Sequence, residues 1–99
     1  MKKILLVCSA GMSTSIVVKK MEAAAQAKGI EAKIWAVGDA LAKDNVGEAD
    51  IIMLGPQVKY LLEKMKGIAG DKPVGVIDMR DYGMMNGEAI LNKALEMIG

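Results

Sequence analysis

The single cysteine of this 99-residue chain, Cys8, stands directly before a run of small and hydroxyl-bearing residues. A thiol becomes a nucleophile when it ionises, and the backbone N–H groups at the start of a helix stabilise such an anion. Those same N–H groups also bind phosphate. Cys8 is therefore the candidate nucleophile, and the candidate phosphate-binding residues beside it are Ser9, Ala10, Gly11, Met12, Ser13, Thr14 and Ser15.

A lone cysteine after an apolar run also has a structural interpretation, as a small apolar side chain in the core. The next residues favour chemistry, because Gly11 permits a tight turn and the hydroxyls donate hydrogen bonds without adding charge. One cysteine cannot form an intrachain disulfide, and a chain with one cysteine and no histidine cannot build an ordinary zinc site. We expect no metal, no cofactor and a reducing compartment, the cytoplasm.

The elements that must position Cys8 are short apolar runs separated by helical patterns. The apolar runs predict strands at residues 4–7, 32–37, 50–54 and 73–77. Apolar spacing, Pro56 as a first-turn residue and Gly29 as a stop predict helices at 14–28, from 56 onward and at 87–98, with a short helix at 39–43.

Strands that alternate with helices predict an α/β fold, because each parallel crossover needs a helix. We expect one domain over residues 1–99 with an open four-stranded parallel sheet in the order 2-1-3-4 and helices on both faces. This topology resembles that of flavodoxin-like proteins and low-molecular-weight tyrosine phosphatases.

In such sheets, ligands bind at the carboxyl ends of the strands where the winding direction reverses. The loops after strands one and three, residues 8–15 and 55–57, are therefore expected to meet. Gln57, Asp78 and Tyr82 are candidate supporting site residues. Each has an alternative role, since Gln57 can cap a helix, Asp78 can cap or hydrogen-bond at a strand end, and Tyr82 before a glycine can close a turn.

The spacing also resembles the phosphatase loop, in which cysteine, five residues, arginine and then serine or threonine follow one another. Thr14 stands where the arginine belongs, and Ser15 matches the hydroxyl. In the phosphatases, the guanidinium of that arginine clamps the phosphoryl oxygens. Because this chain lacks it, attack by water on a phosphocysteine is poorly supported. An arsenate reductase would need further thiols. A flavin-binding module is a further alternative, although the first loop lacks the aromatic residues that flank flavin rings.

Residues 8–15, Cys-Ser-Ala-Gly-Met-Ser-Thr-Ser, closely resemble the active loop of lactose/cellobiose-type IIB components of the bacterial sugar phosphotransferase system. Residues 54–60 and 76–87 resemble that family's segments after strands three and four, so the resemblance spans the chain. It implies that a phosphohistidine on a IIA protein donates to Cys8, which then donates to a sugar bound by the membrane IIC component. The family expectation is a β-linked disaccharide or β-glucoside, and residues 79–81 leave the sugar open.

Charge and hydropathy limit the other partners. With 13 basic and 12 acidic residues and no basic cluster, the chain has no signal for nucleic acid. The apolar run at 4–7 is too short to enter a membrane. A monomer that docks transiently on two proteins is expected, and the adaptable surface candidates are Met12, Met84 and Met85. Core packing is the alternative for the last two, and Trp35 and Tyr60 are expected to pack.

Overall fold

A computed structural model describes residues 1–9 and 13–98, apart from the side chain of Ser13. The strands are β1 (Lys2–Cys8), β2 (Ala32–Gly38), β3 (Ile51–Leu54) and β4 (Val74–Val76). The helices are α1 (Ser13–Ala27), α2 (Asp39–Asn45), α3 (Leu62–Ala69), α4 (Met79–Gly83) and α5 (Gly87–Ile98), with 3₁₀ segments at Val46–Glu48 and Pro56–Leu61.

The four strands form one sheet in the order β2-β1-β3-β4, and every pair is parallel. This confirms the predicted order and direction. Val7 of β1 lies beside Val37 on one side and Leu54 on the other, and Cys8 lies beside Gly38. The carboxyl ends of the strands therefore share one edge of the sheet, with β1 in its middle.

The uninterrupted apolar strands are explained by helices on both faces of the sheet. In β1, Ile4, Leu6 and Cys8 belong to the core on the side of α1 and α5, whereas Leu5 and Val7 belong to the core on the side of α2 and α3. All five are 3% exposed or less. Burial of apolar surface on both faces stabilises the sheet and fixes which way each side chain points.

Most predicted helix positions are confirmed, and α5 has the predicted bounds. Gly29, expected to end the first helix, has a φ of 70°, the left-handed conformation that suits glycine. The segment after Pro56 differs, because Val58 has a φ of −120° and the chain forms a 3₁₀ segment before α3 begins at Leu62. This turn keeps residues 56–61 at the carboxyl edge.

The structure adds one helix that the sequence analysis treated as a loop, α4. It spans five residues between β4 and α5, so it is too short to show helical periodicity. Asp78 begins it as the capping residue: Oδ1 accepts hydrogen bonds from the backbone N–H groups of Arg80 at 2.8 Å and Asp81 at 3.3 Å. The capped turn holds Tyr82 over the carboxyl edge of the sheet.

Candidate active site

Cys8 is the last residue of β1, and it is 3% exposed. The alternation of β1 turns its side chain toward the layer of α1, α4 and α5, where it belongs to the same buried cluster as Tyr82. The thiol is thus held at the end of a central strand. A nucleophile on a strand end has a better-defined position than one on a free loop.

Gly55 provides the space that the sulfur occupies. A β-carbon added at Gly55 would lie 2.9 Å from Cys8 Sγ and 2.8 Å from Gln57 Oε1, and real β-carbons do not approach other atoms so closely. The backbone N–H of Gly55 donates to the carbonyl of Val7 at 2.8 Å, which fixes this glycine next to the end of β1. The sequence analysis placed Gly55 in the loop expected to meet Cys8 but did not assign it a role.

Gln57 is brought to the site by the 3₁₀ segment after β3. Gln57 Oε1 and Cys8 Sγ both lie within 3 Å of the point where a β-carbon of Gly55 would stand, so the amide oxygen is near the sulfur. The Gln57 side chain is otherwise exposed. This position allows Gln57 to contact a group attached to Cys8 while it also meets solvent or a partner.

Tyr82 also lies next to the sulfur, and it is 8% exposed. Its hydroxyl is 4.0 Å from Cys8 Sγ, to which it donates, and 3.3 Å from Thr14 Oγ1. The backbone N–H of Tyr82 donates to the carbonyl of Asp78 at 2.9 Å, so the capped turn of α4 sets the position of the ring. Asp78 therefore supports the site through the backbone of α4.

The predicted phosphate-binding residues divide into three groups. Ala10, Gly11 and Met12 lie outside the described residues, and so does the side chain of Ser13, whose backbone begins α1. Ser9 and Ser15 are exposed, whereas Thr14 is 4% exposed and bonded to Tyr82. The first turn of α1 has no acidic residue that would oppose an anion.

The surface beside the sulfur is apolar. Met79 and Met84, at the two ends of α4, are 70% and 67% exposed. A groove of about 290 Å³ is lined by Pro56, Gln57, Met79, Tyr82 and Gly83. The prediction for Met84 was right in placing it at the surface, and Met79 was missed because α4 was not predicted.

Three other predicted side chains lie as follows. Met85 is half-buried against the core, which is the alternative given for it. Trp35 is half-buried too, and its indole N–H donates to Asn45 Oδ1 at 3.1 Å. Tyr60 was expected to pack, and this is wrong: it is 72% exposed, because the 3₁₀ segment turns it away from the core.

Within residues 1–9 and 13–98, no three His, Cys, Asp or Glu side chains gather where they could hold a metal ion. No helix in this part of the chain is long and apolar enough to cross a membrane.

The chain is similar in sequence to several named proteins over nearly its whole length. Residues 3–93 match the model of the family described as "PTS system, Lactose/Cellobiose specific IIB subunit". The oligo-beta-mannoside-specific EIIB component of Bacillus subtilis (strain 168) is 46% identical, over 99% of this chain and 97% of that protein. The galactose-specific EIIB component of Lactococcus lactis subsp. cremoris (strain MG1363) is 42% identical, over 94% and 93%.

The fold is also similar to that of a solved structure of a IIB component. The solution structure of the cellobiose-specific phosphotransferase IIB component from Borrelia burgdorferi matches with a TM-score of 0.80 and 36% identity, over 98% of this chain and 91% of that chain. The similarity therefore covers the whole sheet and every segment that surrounds Cys8.

Proposed function

The chain belongs to the lactose/cellobiose-specific IIB family of the sugar phosphotransferase system, and we propose that Cys8 is its phosphoryl-carrying residue. The thiolate of Cys8 attacks the phosphorus of a phosphohistidine on a IIA protein, so the N–P bond breaks and an S–P bond forms. A hydroxyl of a sugar bound by the membrane IIC component then attacks, the S–P bond breaks, and the hydroxyl proton is released. Cys8 returns to its starting state.

The observation that carries this proposal is the setting of Cys8 Sγ. It is buried at the end of a central strand, Gly55 leaves the space that it occupies, and the Tyr82 hydroxyl donates to it. A thiolate held by neutral donors at the edge where α1 begins is suited to accept a phosphoryl group.

The proposed reaction is transfer and not hydrolysis. The position that an arginine occupies in the phosphatase loop holds Thr14, whose hydroxyl is bonded to Tyr82. No histidine exists in the chain to act as a general base for water. A phosphoryl group on Cys8 should therefore persist until an acceptor hydroxyl is presented by a partner.

We further assign the supporting roles as follows. The backbone of residues 9–15 binds the phosphoryl oxygens, helped by the start of α1. Gln57 contacts the phosphoryl group from the side of β3, Tyr82 donates a hydrogen bond to the sulfur, and Asp78 holds the turn that carries Tyr82. No cofactor takes part.

The partners follow from this role. The chain acts in the cytoplasm as a single domain and a monomer, and it docks in turn on the IIA protein and the IIC component. Met79 and Met84 lie beside the groove next to Tyr82, where exposed methionines can adapt to two unlike surfaces. The sugar is a β-linked disaccharide or a β-glucoside, which agrees with the name of the mannoside-specific relative but not with that of the galactose-specific one.

The test is the intact mass of the wild type and of Cys8→Ser after incubation with phosphoenolpyruvate, the general phosphotransferase proteins and a cognate IIA protein. The wild type should gain one phosphoryl group, and it should lose the group when the IIC component and its sugar are added. Cys8→Ser should gain none. A wild type that gains nothing from any IIA protein, or a Cys8→Ser variant that gains as much as the wild type, contradicts the proposal.

A further inference from the structure

Three buried groups from distant parts of the chain meet at the carboxyl edge of the sheet. Thr14 is in the first turn of α1, Tyr82 is in α4, and Cys8 ends β1; they are 4%, 8% and 3% exposed. The Tyr82 hydroxyl lies between the other two, 3.3 Å from Thr14 Oγ1 and 4.0 Å from Cys8 Sγ. The hydroxyl of Thr14 thus reaches the tyrosine and not open solvent.

A thiol reacts as the thiolate, and in that form the direction of these hydrogen bonds is fixed. A thiolate can only accept, so the Tyr82 hydroxyl must donate its single proton to the sulfur. The tyrosine oxygen is then an acceptor, and Thr14, which has a proton of its own, donates to it. Thr14 thus donates to Tyr82, and Tyr82 donates to Cys8. The two hydrogen bonds strengthen each other, because hydrogen bonds in a chain polarise one another.

We propose that Thr14 is a positioning residue that acts on Cys8 through Tyr82, and that its side chain is not a direct phosphate ligand. The inference rests on the proposed role of Cys8 and deepens it. Thr14 orients the Tyr82 hydroxyl toward the sulfur. Tyr82 stabilises the thiolate before transfer, and after transfer its hydroxyl can donate to the group that Cys8 carries.

The position of Tyr82 depends on α4, and α4 depends on Asp78. The Asp78 carboxylate caps the turn at its start, and the Asp78 carbonyl accepts from the N–H of Tyr82 at 2.9 Å. Thr14 holds the other end of the tyrosine, at its hydroxyl. Two independent contacts therefore fix the ring along its length, which is the arrangement a precise donor requires.

The experiment is alkylation of the free protein by iodoacetamide, followed by mass spectrometry. Cys8 is the only thiol, so the rate reports on it alone, and no IIA protein is needed. Tyr82→Phe should slow alkylation at pH 7 roughly tenfold and move the rate profile to higher pH. Thr14→Val should slow it roughly threefold, and Thr14→Ser, which keeps the hydroxyl, should restore the rate.

The double variant separates positioning from direct action. If Thr14 acts through Tyr82, Thr14→Val should have no further effect in the Tyr82→Phe background. Tyr60→Phe is the matched control, because Tyr60 is the other tyrosine and is 72% exposed. Its rate should equal that of the wild type.

The inference is overturned if Thr14→Val slows alkylation equally in both backgrounds, or if Tyr82→Phe reacts like the wild type. Far-UV circular dichroism of each variant checks the fold, and Thr14→Ser provides the comparison if Thr14→Val is unfolded. The assay uses no phosphate, so its result does not depend on phosphoryl transfer. The effect of Thr14 on Cys8 through Tyr82 can be confirmed even if no phosphoryl transfer to Cys8 is found, and it can be absent even if that transfer is confirmed.

Discussion

The two ends of the sheet are held by different chemistry. At the amino end, Lys33 near the start of β2 pairs with Glu48 just before β3, and its Nζ lies 4.9 Å from the centre of the Trp35 ring. Lys72 Nζ donates to the carbonyls of Val46 at 2.7 Å and Gly47 at 3.0 Å. This end uses fixed charges to close the loops.

The carboxyl end places two uncharged hydroxyl groups in a chain that reaches the sulfur of Cys8. Cys8, Thr14 and Tyr82 contribute a thiol and two hydroxyls, and the Tyr82 hydroxyl lies within reach of the other two groups. A fixed cation would hold a phosphoryl group strongly and would stabilise its transfer to water. The two ends therefore differ in the side chains that hold them: an ion pair lies at the amino end, whereas a thiol and two hydroxyls meet at the carboxyl end.

The largest effect is expected from Gly55→Val at the carboxyl end. The new side chain would collide with Cys8 Sγ and Gln57 Oε1, so the sulfur would have to move from its present position. Phosphorylation of Cys8 by a IIA protein should slow about a hundredfold, which corresponds to about 2 to 3 kcal/mol of overpacking. The measurement is the rate of phosphoryl gain by intact mass.

Gly47→Val is the control at the amino end, because a β-carbon added there would meet no atom within 4 Å. Its phosphorylation rate should match that of the wild type. Equal loss in both variants would show that any added side chain harms the protein, and the distinction between the two ends would not hold.

A smaller effect is expected from Gly87→Ala, in the helix layer behind the sulfur. A β-carbon there would lie 2.5 Å from the carbonyl carbon of Lys20 and 2.6 Å from the backbone nitrogen of Met21, so α5 and α1 would have to separate. The free energy of unfolding should fall by about 1 to 3 kcal/mol. Urea denaturation measures it.

Gly67→Ala is the matched control within α3, where an added β-carbon would meet no atom. It should stabilise the protein by roughly 0.5 to 1 kcal/mol, because alanine favours a helix. If Gly87→Ala also stabilised the protein, the close contact of Gly87 with Lys20 and Met21 would be contradicted.

The smallest effect is expected at the amino end, from Glu48→Gln. The hydrogen bond and charge of Lys33 hold the pKa of Glu48 below its usual value of 4.5. A lowered pKa in the folded state contributes stability above pH 4.5, and this contribution is lost as the pH falls through the folded pKa. The free energy of unfolding of Glu48→Gln should therefore be slightly lower than that of the wild type at pH 7, and the two should be equal at pH 2.

Asp44→Asn is the control for this comparison, since Asp44 is an exposed carboxylate with no ion pair in the described part of the chain. Urea denaturation should give the same free energy of unfolding for Asp44→Asn and the wild type at pH 7 and at pH 2. A difference between wild type and Glu48→Gln that grows as the pH is lowered would contradict the assigned role of Lys33.

The sheet and its order were predictable because buried parallel strands are continuously apolar and their crossovers have a fixed hand. The position of Cys8 at the carboxyl edge followed from that order. The bounds of α5 were also predictable, since twelve residues show three turns of apolar spacing. These are features that repeat along the chain.

The contacts within the site were not predictable to the same degree. The pairing of Thr14 with Tyr82 joins residues 68 positions apart, and no local pattern indicates it. The α4 turn is shorter than two helical periods, so its only signal was Asp78 as a capping residue. The exposure of Tyr60 depends on the irregular backbone at Val58, which apolar spacing could not show.

The most direct test of a neutral carrier site is the lifetime of the phosphoryl group on Cys8. The protein is loaded by a phosphorylated IIA protein, separated from it, and followed by intact mass and peptide mapping in plain buffer. The account predicts that the group stays on the peptide that contains Cys8 for much longer than loading took, and leaves when the IIC component and sugar are added. Loss to water as fast as loading, or a phosphoryl group mapped to another residue, would contradict it.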